Sequence, residues 1–141
     1  MELIEHFRRM AANNCWSNDR IYRSILALQP GEFTAPRISF FPSIKATHNH
    51  VLEVDLYYLD ALQETGRGRA IFDSYAEVDE PQRLAELQGD FDRRLIAFCD
   101  GLTAADLDRR VDTDRGIAGQ LPERIGDLLA HLFIHDFHFS M

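Results

Sequence analysis

Apolar residues recur at steps of three and four along four stretches of this 141-residue chain, and this periodicity is its most restrictive feature. Such spacing places the apolar side chains on one face of a helix. Nowhere does the sequence show the alternation typical of a set of paired β-strands. The pattern therefore predicts an all-α protein whose long helices pack their apolar faces together. The predicted long helices cover residues 2–28, 44–63, 81–100 and 122–141.

Capping and helix-breaking residues predict where several elements begin. Ser43 is a good N-cap for the second long helix, and Pro81 suits the first turn of the third. Pro122 is predicted to open the last helix in the same way. Thr103 begins a Thr-Ala-Ala-Asp sequence that resembles a capping box and predicts a short helix. Residues 110–120 are expected to form a loop or a weak hairpin.

Composition and charge exclude several classes of protein. With 45% hydrophobic and 27% charged residues, the chain is typical of one globular domain that needs no disulfide to fold. Its 23 acidic residues outnumber 15 Lys and Arg, and a net charge of −8 opposes binding to nucleic acid. No apolar run is long enough to span a membrane and no secretory signal is present, so a cytoplasmic location without a membrane partner is expected. Cys15 and Cys99 are expected to be reduced thiols.

Five of the six histidines fall in two clusters, and these clusters are the strongest chemical signal in the sequence. His131 and His135 are four residues apart, so on a helix they lie one turn apart on the same face and can converge on one metal ion. His48 and His50 lie on opposite shoulders of the apolar face of the second helix, and periodicity does not choose between them as a third ligand. Asp55 shares the shoulder of His48. The five clustered histidines are His48, His50, His131, His135 and His138.

Four blocks of sequence occur in an order and separation that is specific as a set, although each block alone is not. They read NCWSN over residues 14–18, FFPS over 40–43, THNHVLEVD over 47–55 and HLFIHDFH over 131–138. Together they resemble the DinB family, the damage-inducible, YfiT-like bacterial proteins. The last block is similar to the HxFNHxxHHRGQ signature of that family.

The resemblance implies a four-helix bundle of DinB/YfiT-like type, with mostly antiparallel long helices that hold a divalent metal ion. Carried over by position, the metal ligands are His50, His131 and His135. His48 then becomes a neighbour of the site, and Asp55 takes a supporting or structural position. Zinc or nickel is the favoured ion for imidazole ligands, with iron and manganese as further options.

The chain departs from the family pattern at two places in its last block. Ile134 stands where the signature has Asn, and the sequence ends in His138-Phe139-Ser140-Met141 where the signature continues His-His-Arg-Gly-Gln. We therefore expect a single domain over residues 1–141 that is cut short at its C-terminus, with His138 in an outer position. Trp16, which matches an Asn-x-Trp-x-Asn pattern of the family, is expected to anchor helix packing.

The implied function is that of a metal-dependent enzyme, either a hydrolase or a thiol-dependent transferase. It would act on a small-molecule substrate, with a low-molecular-weight thiol as partner, and a homodimer is the assembly that the resemblance suggests. Three neutral imidazoles leave coordination positions open, which is typical of a catalytic site. The alternative is a non-catalytic, metal-stabilised bundle that acts as a binding or stress-related oligomeric protein. The sequence assigns no catalytic residue in either case.

Overall fold

The computed structural model describes residues 2–140, which form five α-helices and one β-hairpin. The helices are α1 (Leu3–Leu26), α2 (Ile44–Gln63), α3 (Ala70–Ser74), α4 (Pro81–Asp100) and α5 (Ile125–Ser140). The strands are β1 (Arg110–Asp114) and β2 (Gln120–Arg124), which pair antiparallel. Short 3₁₀ turns cover Ala104–Asp108 and Gly116–Ala118.

The four long helices share one hydrophobic core. Helix α4 packs against α1 and α2, and α2 also packs against α5. Aliphatic side chains from α2, α4 and α5 fill the centre, and all of them are nearly inaccessible to solvent. They include Leu52, Leu59, Leu84, Leu95, Leu128, Leu129 and Leu132. Burial of these apolar faces is what holds the helices together, as the sequence periodicity predicts.

Local capping signals give the observed helix ends. Ser43 is the N-cap of α2, and its hydroxyl oxygen accepts a 3.0 Å hydrogen bond from the backbone N–H of Ala46. Pro81 occupies the first turn of α4, where its missing N–H costs no hydrogen bond. Asp106 accepts a 2.8 Å hydrogen bond from the Thr103 N–H, which is the return half of the predicted capping box. These three predictions are confirmed.

The hairpin expected as one option over residues 110–120 is present and extends to Arg124, but the predicted start of the last helix is wrong. Pro122 does not open the last helix: it lies in β2 opposite Asp112, and α5 begins at Ile125. A two-stranded hairpin consists of edge strands only, and these tolerate a residue without an N–H. Across the hairpin the Arg115 guanidinium donates two 2.9 Å hydrogen bonds to the Glu123 carboxylate. The molecule is therefore mostly helical with a small sheet, rather than purely α-helical.

Trp16 is not the packing anchor that its sequence context predicts. Its side chain is 61% exposed on the outer face of α1, and the guanidinium of Arg20 lies 4.9 Å from the centre of its ring. The prediction is wrong because apolar character alone does not say which face of α1 meets α4. The buried positions of this helix are held instead by residues such as Phe7 and Ala11.

Asn49 ties the segment between α3 and α4 to helix α2. Its Nδ2 donates to the carbonyl oxygens of Lys45, at 2.9 Å, and Val78, at 3.0 Å. Its Oδ1 accepts from the Tyr75 hydroxyl at 2.7 Å and from the Val78 N–H at 2.8 Å. All the hydrogen-bonding capacity of this buried amide is therefore used. The bonds fix the part of α2 that carries the two neighbouring histidines.

Two simpler predictions concern the thiols and the membrane. Cys15 is half-buried and Cys99 is buried, and both are free thiols. In the part of the chain that the structure describes, no helix is both long enough and apolar enough to cross a membrane.

Candidate functional site

Helices α2 and α5 bring two of the predicted metal ligands into direct contact. The Nε2 atom of His50 lies 3.1 Å from the Nε2 atom of His135. Without a metal, one neutral imidazole donates a hydrogen bond to the other. Two nitrogens that each bind one tetrahedral zinc ion at the usual distance lie about 3.3 Å apart, which is close to the observed separation. The pair therefore fits two neighbouring ligand positions of such an ion.

Both imidazoles of this pair favour the neutral form. Burial lowers the pKa of His50, and the nearby His135 lowers it further. Burial also lowers the pKa of His135, although the negative charge of Asp55 acts in the opposite direction. A neutral imidazole offers a lone pair to a metal ion, so these pKa shifts favour metal binding.

The structure does not gather three predicted ligands around one point. His131 lies one turn before His135 in α5 with an exposed side chain, on the side of Glu123. The hydrogen bonds from Arg115 lower the pKa of Glu123, and the nearby His131 has a smaller effect in the same direction. Residues 2–140 contain no group of three or more His, Cys, Asp or Glu side chains arranged to hold a metal ion. The role of His131 as a ligand stays a prediction.

The other two clustered histidines, His48 and His138, lie away from the pair. His48 is buried with its ring edge-on to Tyr22, at 5.6 Å between ring centroids, and burial lowers the pKa of His48 to about 4. His138 is exposed near the end of α5. Both line a neighbouring cavity instead of joining the histidine pair.

Two phenylalanine rings cover the histidine pair. The ring centroid of Phe41 lies 4.5 Å from that of His50. The ring of Phe139 lies 5.1 Å from His50 and 4.7 Å from His135. Phe139 is also the residue at which the chain departs from a histidine of the family signature. An apolar ring thus contacts both imidazoles from a position where the signature has a further imidazole.

Behind His135 lies a pair of buried carboxyl groups. Asp55 of α2 is 0% exposed and Asp136 of α5 is 2% exposed, and the two carboxyls lie close enough for each to shift the pKa of the other. Oδ1 of Asp55 and both oxygens of Asp136 have no hydrogen-bond donor among the described residues. Two adjacent ionised carboxylates repel each other, so this arrangement favours a proton held between them. Burial raises the pKa of both groups, and the neighbouring Asp136 raises that of Asp55 further.

Gln88 connects this pair to a third buried carboxyl group. Its Nε2 donates to Oδ2 of Asp55 at 3.0 Å and to Oδ1 of Asp92 at 3.1 Å. Asp92 also accepts a 3.0 Å hydrogen bond from Nδ2 of Asn18 in α1. Burial raises the pKa of Asp92 to about 7, against the lowering effect of its bonds to Asn18 and Gln88. A buried polar chain therefore runs from α1 through α4 to the back of the histidine pair.

Gln88 and Asp92 are the functional candidates that the sequence reasoning missed. They lie four residues apart on the stripe of α4 that also buries Leu84, Phe91 and Leu95. A polar residue within an otherwise apolar stripe is the signal that would have found them, because a buried polar group needs a partner. The partners themselves come from other helices, and sequence periodicity does not identify them.

A cavity of about 560 Å³ adjoins the histidine pair. Phe41 and Phe139 belong both to its lining and to the rings that cover the pair. The volume lies within the range usual for small-molecule sites. The other apolar lining residues are Phe40, Ile21, Ile25, Leu28 and Ile44, and the polar ones are Ser24, Arg37, Ser39, Ser43, Thr47, His48 and His138.

The fold is mostly helical, and two histidines from different helices meet in it, so the chain is a helical protein with a candidate metal centre. The DinB family model matches residues 4–139, nearly the whole chain. The chain therefore belongs to the DinB family, and the resemblance found in the sequence is confirmed. No curated protein shows a significant match to it.

Proposed function

We propose that this protein binds a divalent metal ion through His50 and His135 and acts as a metal-dependent enzyme, either a hydrolase or a thiol-dependent transferase. The main support is the 3.1 Å contact between the two Nε2 atoms, which α2 and α5 hold in place. Zinc and nickel suit imidazole ligands best, with iron and manganese as further options. His131 is proposed as the third ligand from its four-residue spacing to His135 and from the family pattern, and its exposed side chain would have to turn from Glu123 toward the pair.

The surrounding side chains give this centre its environment. A bound divalent ion supplies Lewis acidity, which lowers the pKa of a coordinated water or thiol toward neutrality. Phe41 and Phe139 exclude water from one side of the imidazoles. Oδ1 of Asp136 lies 3.7 Å from Nδ1 of His135, which places a buried carboxyl group beside the ring without a direct hydrogen bond. The adjoining cavity is large enough to hold a small-molecule substrate.

The proposal extends to the architecture and setting of the protein. The four long helices α1, α2, α4 and α5 are proposed to form a DinB-type four-helix bundle with mostly antiparallel helices, which their mutual packing supports. A cytoplasmic homodimer is the proposed working form. Light scattering on the purified chain tests the dimer, because a monomer mass at micromolar concentration would contradict it.

Elemental analysis of tag-free protein tests the proposed metal site. After incubation with Zn²⁺ or Ni²⁺ and removal of excess ion, we expect about one ion per chain. His50→Ala and His135→Ala should lose the ion, and His131→Ala should weaken its binding. The exposed His6, on α1, provides the control His6→Ala, which should keep the ion. Protein without metal under these conditions would refute the proposal, and undiminished binding by His131→Ala would remove that residue from the ligand set.

A non-catalytic role is the second candidate, and it rests on the position of the pair. His50 and His135 belong to different helices, so an ion between them would cross-link α2 and α5 without taking part in a reaction. Protein loaded with Co²⁺ separates the two candidates. A change in its visible spectrum on adding a low-molecular-weight thiol would support the enzyme, because it requires an open coordination position. An unchanged spectrum together with a raised melting temperature would support the structural role.

A further inference from the structure

The lining of the 560 Å³ cavity differs in charge from the rest of the chain. The sequence has 23 acidic residues against 15 Lys and Arg, yet none of the fourteen described residues that line the cavity is acidic. Arg37 supplies a permanent positive charge there. A local positive charge without nearby carboxylates is unusual for a protein of net charge −8, and it favours a negatively charged ligand.

Arg37 is held in a suitable place to meet such a ligand. It lies in the segment between α1 and α2, where its backbone N–H donates a 2.7 Å hydrogen bond to the carbonyl oxygen of Pro42. Its exposed guanidinium forms no ion pair with any acidic side chain within residues 2–140. A guanidinium binds a carboxylate through two parallel hydrogen bonds, which gives both affinity and orientation.

The rest of the lining suits an apolar body. Phe40 packs against Phe41 and Phe139 at centroid distances of 4.9 Å and 5.6 Å, so three aromatic rings form one wall. Ile25 of α1 and Leu28, which follows that helix, belong to the same lining. Phe40 is 83% exposed, and an aromatic ring at the rim of a cavity gains burial when an apolar ligand enters.

We propose that this cavity binds an apolar carboxylate, an aryl-substituted or medium-chain acid whose carboxylate pairs with Arg37. The aromatic and aliphatic lining takes the hydrocarbon body of the ligand. As a statement about substrate class the inference rests on the proposed function, because Phe41 and Phe139 join the cavity to the histidine pair. Binding itself needs only the cavity, so it is measurable without a metal.

Calorimetric titration of the full, chelator-treated chain tests the inference with three probes of similar shape. The probes are 4-phenylbutyrate, the uncharged 4-phenylbutanol and the cationic 4-phenylbutylamine. We expect the carboxylate to bind about tenfold more tightly than the alcohol, the effect of one charge-assisted contact, and the amine to bind most weakly. Equal affinity for the three probes, or no binding of 4-phenylbutyrate at millimolar concentration, would overturn the inference.

Three variants locate the binding site. Arg37→Gln should weaken carboxylate binding about tenfold and leave alcohol binding unchanged, because only the charged contact is lost. Arg9→Gln, at an exposed position of α1 outside the lining, is the matched control and should bind like the wild type. Ser24→Trp fills the exposed rim and should block both ligands, with circular dichroism to verify folding. Wild-type affinity in Arg37→Gln and Ser24→Trp would place the ligand elsewhere.

Parallel metal titration keeps this inference distinct from the proposed function. A chain that binds 4-phenylbutyrate through Arg37 but takes up no metal retains the cavity assignment and loses the metal-dependent enzyme. A chain that binds metal through His50 and His135 but shows no preference for the carboxylate loses only the cavity assignment.

Discussion

The Asp55→Asn substitution is expected to stabilise the protein above pH 7. In the wild type, Asp55 Oδ2 accepts from Gln88 at 3.0 Å, while Oδ1 has no donor other than a proton shared with Asp136. An amide of the same shape keeps its oxygen toward Gln88 and turns its Nδ2 toward Asp136. The substitution thus replaces a titratable proton by a permanent hydrogen-bond donor.

The size and sign of the effect follow from the pKa of Asp136. Burial raises this pKa to about 7, whereas an unfolded aspartate has a pKa of about 4. The native state therefore binds the proton more tightly, so stability is greatest below about pH 4 and is lost as the pH rises through about 7. A difference of about three between the two pKa values corresponds to at most about 4 kcal/mol. In Asp55→Asn the new donor stabilises the ionised Asp136, and most of this loss should vanish.

Urea unfolding between pH 5 and pH 8, followed by circular dichroism, measures the effect. The variant and the wild type should have similar unfolding free energies at pH 5, and the variant should be about 2 to 3 kcal/mol more stable at pH 8. Asp112→Asn, at an exposed position of β1, is the control and should follow the wild type at every pH. A variant that loses as much stability as the wild type between these pH values would refute the shared proton.

Three further substitutions test the histidine pair, the hydrophobic core and the hydrogen bonds of Asn49. Phe139→His should place an imidazole beside both histidines and tighten Zn²⁺ binding by roughly tenfold or more. Competition with a chelating dye measures this affinity, and an unchanged value would show that a side chain at position 139 does not reach the ion. Leu95→Ala, at a position that is 0% exposed, should lower the unfolding free energy by about 2 to 5 kcal/mol in urea titrations. Asn49→Ala should lower the unfolding free energy by about 3 kcal/mol and speed proteolysis near Val78, because several buried groups lose their partners. Resistance to proteolysis equal to that of the wild type would show that Asn49 does not hold the segment between α3 and α4.

Local signals predicted the helices well because the interactions behind them lie within a few residues. Ser43 caps α2 through Ala46, three residues away, and Pro81 needs only its own missing N–H to suit a first turn. Pro122 gave the same local signal but lies in a hairpin, in which β2 pairs with β1 as far as Arg110 and Arg124. The residues next to Pro122 alone do not reveal this pairing, because their partners lie on the other strand.

The candidate site was predictable in part, because the sequence does not show which side chains of different helices meet. The four-residue spacing correctly placed His131 and His135 on one side of α5, but it did not show which of them faces α2. The choice of His50 came from the family pattern, and the structure places that residue against His135. The buried chain through Gln88 and Asp92 was out of reach, because its bonds to Asp55 and Asn18 join residues more than 30 positions apart.

The outward position of Trp16 decides how this protein is best observed. It is the only tryptophan in the sequence, and its indole is largely in contact with water in the native state. Its emission should therefore change little when the chain unfolds, and fluorescence would follow the transition only with a small change in signal. For the same reason the wild-type emission is nearly constant and gives a steady background for an added fluorophore. In Ser24→Trp, the emission of the new indole would report directly whether that ring packs into the cavity and blocks it.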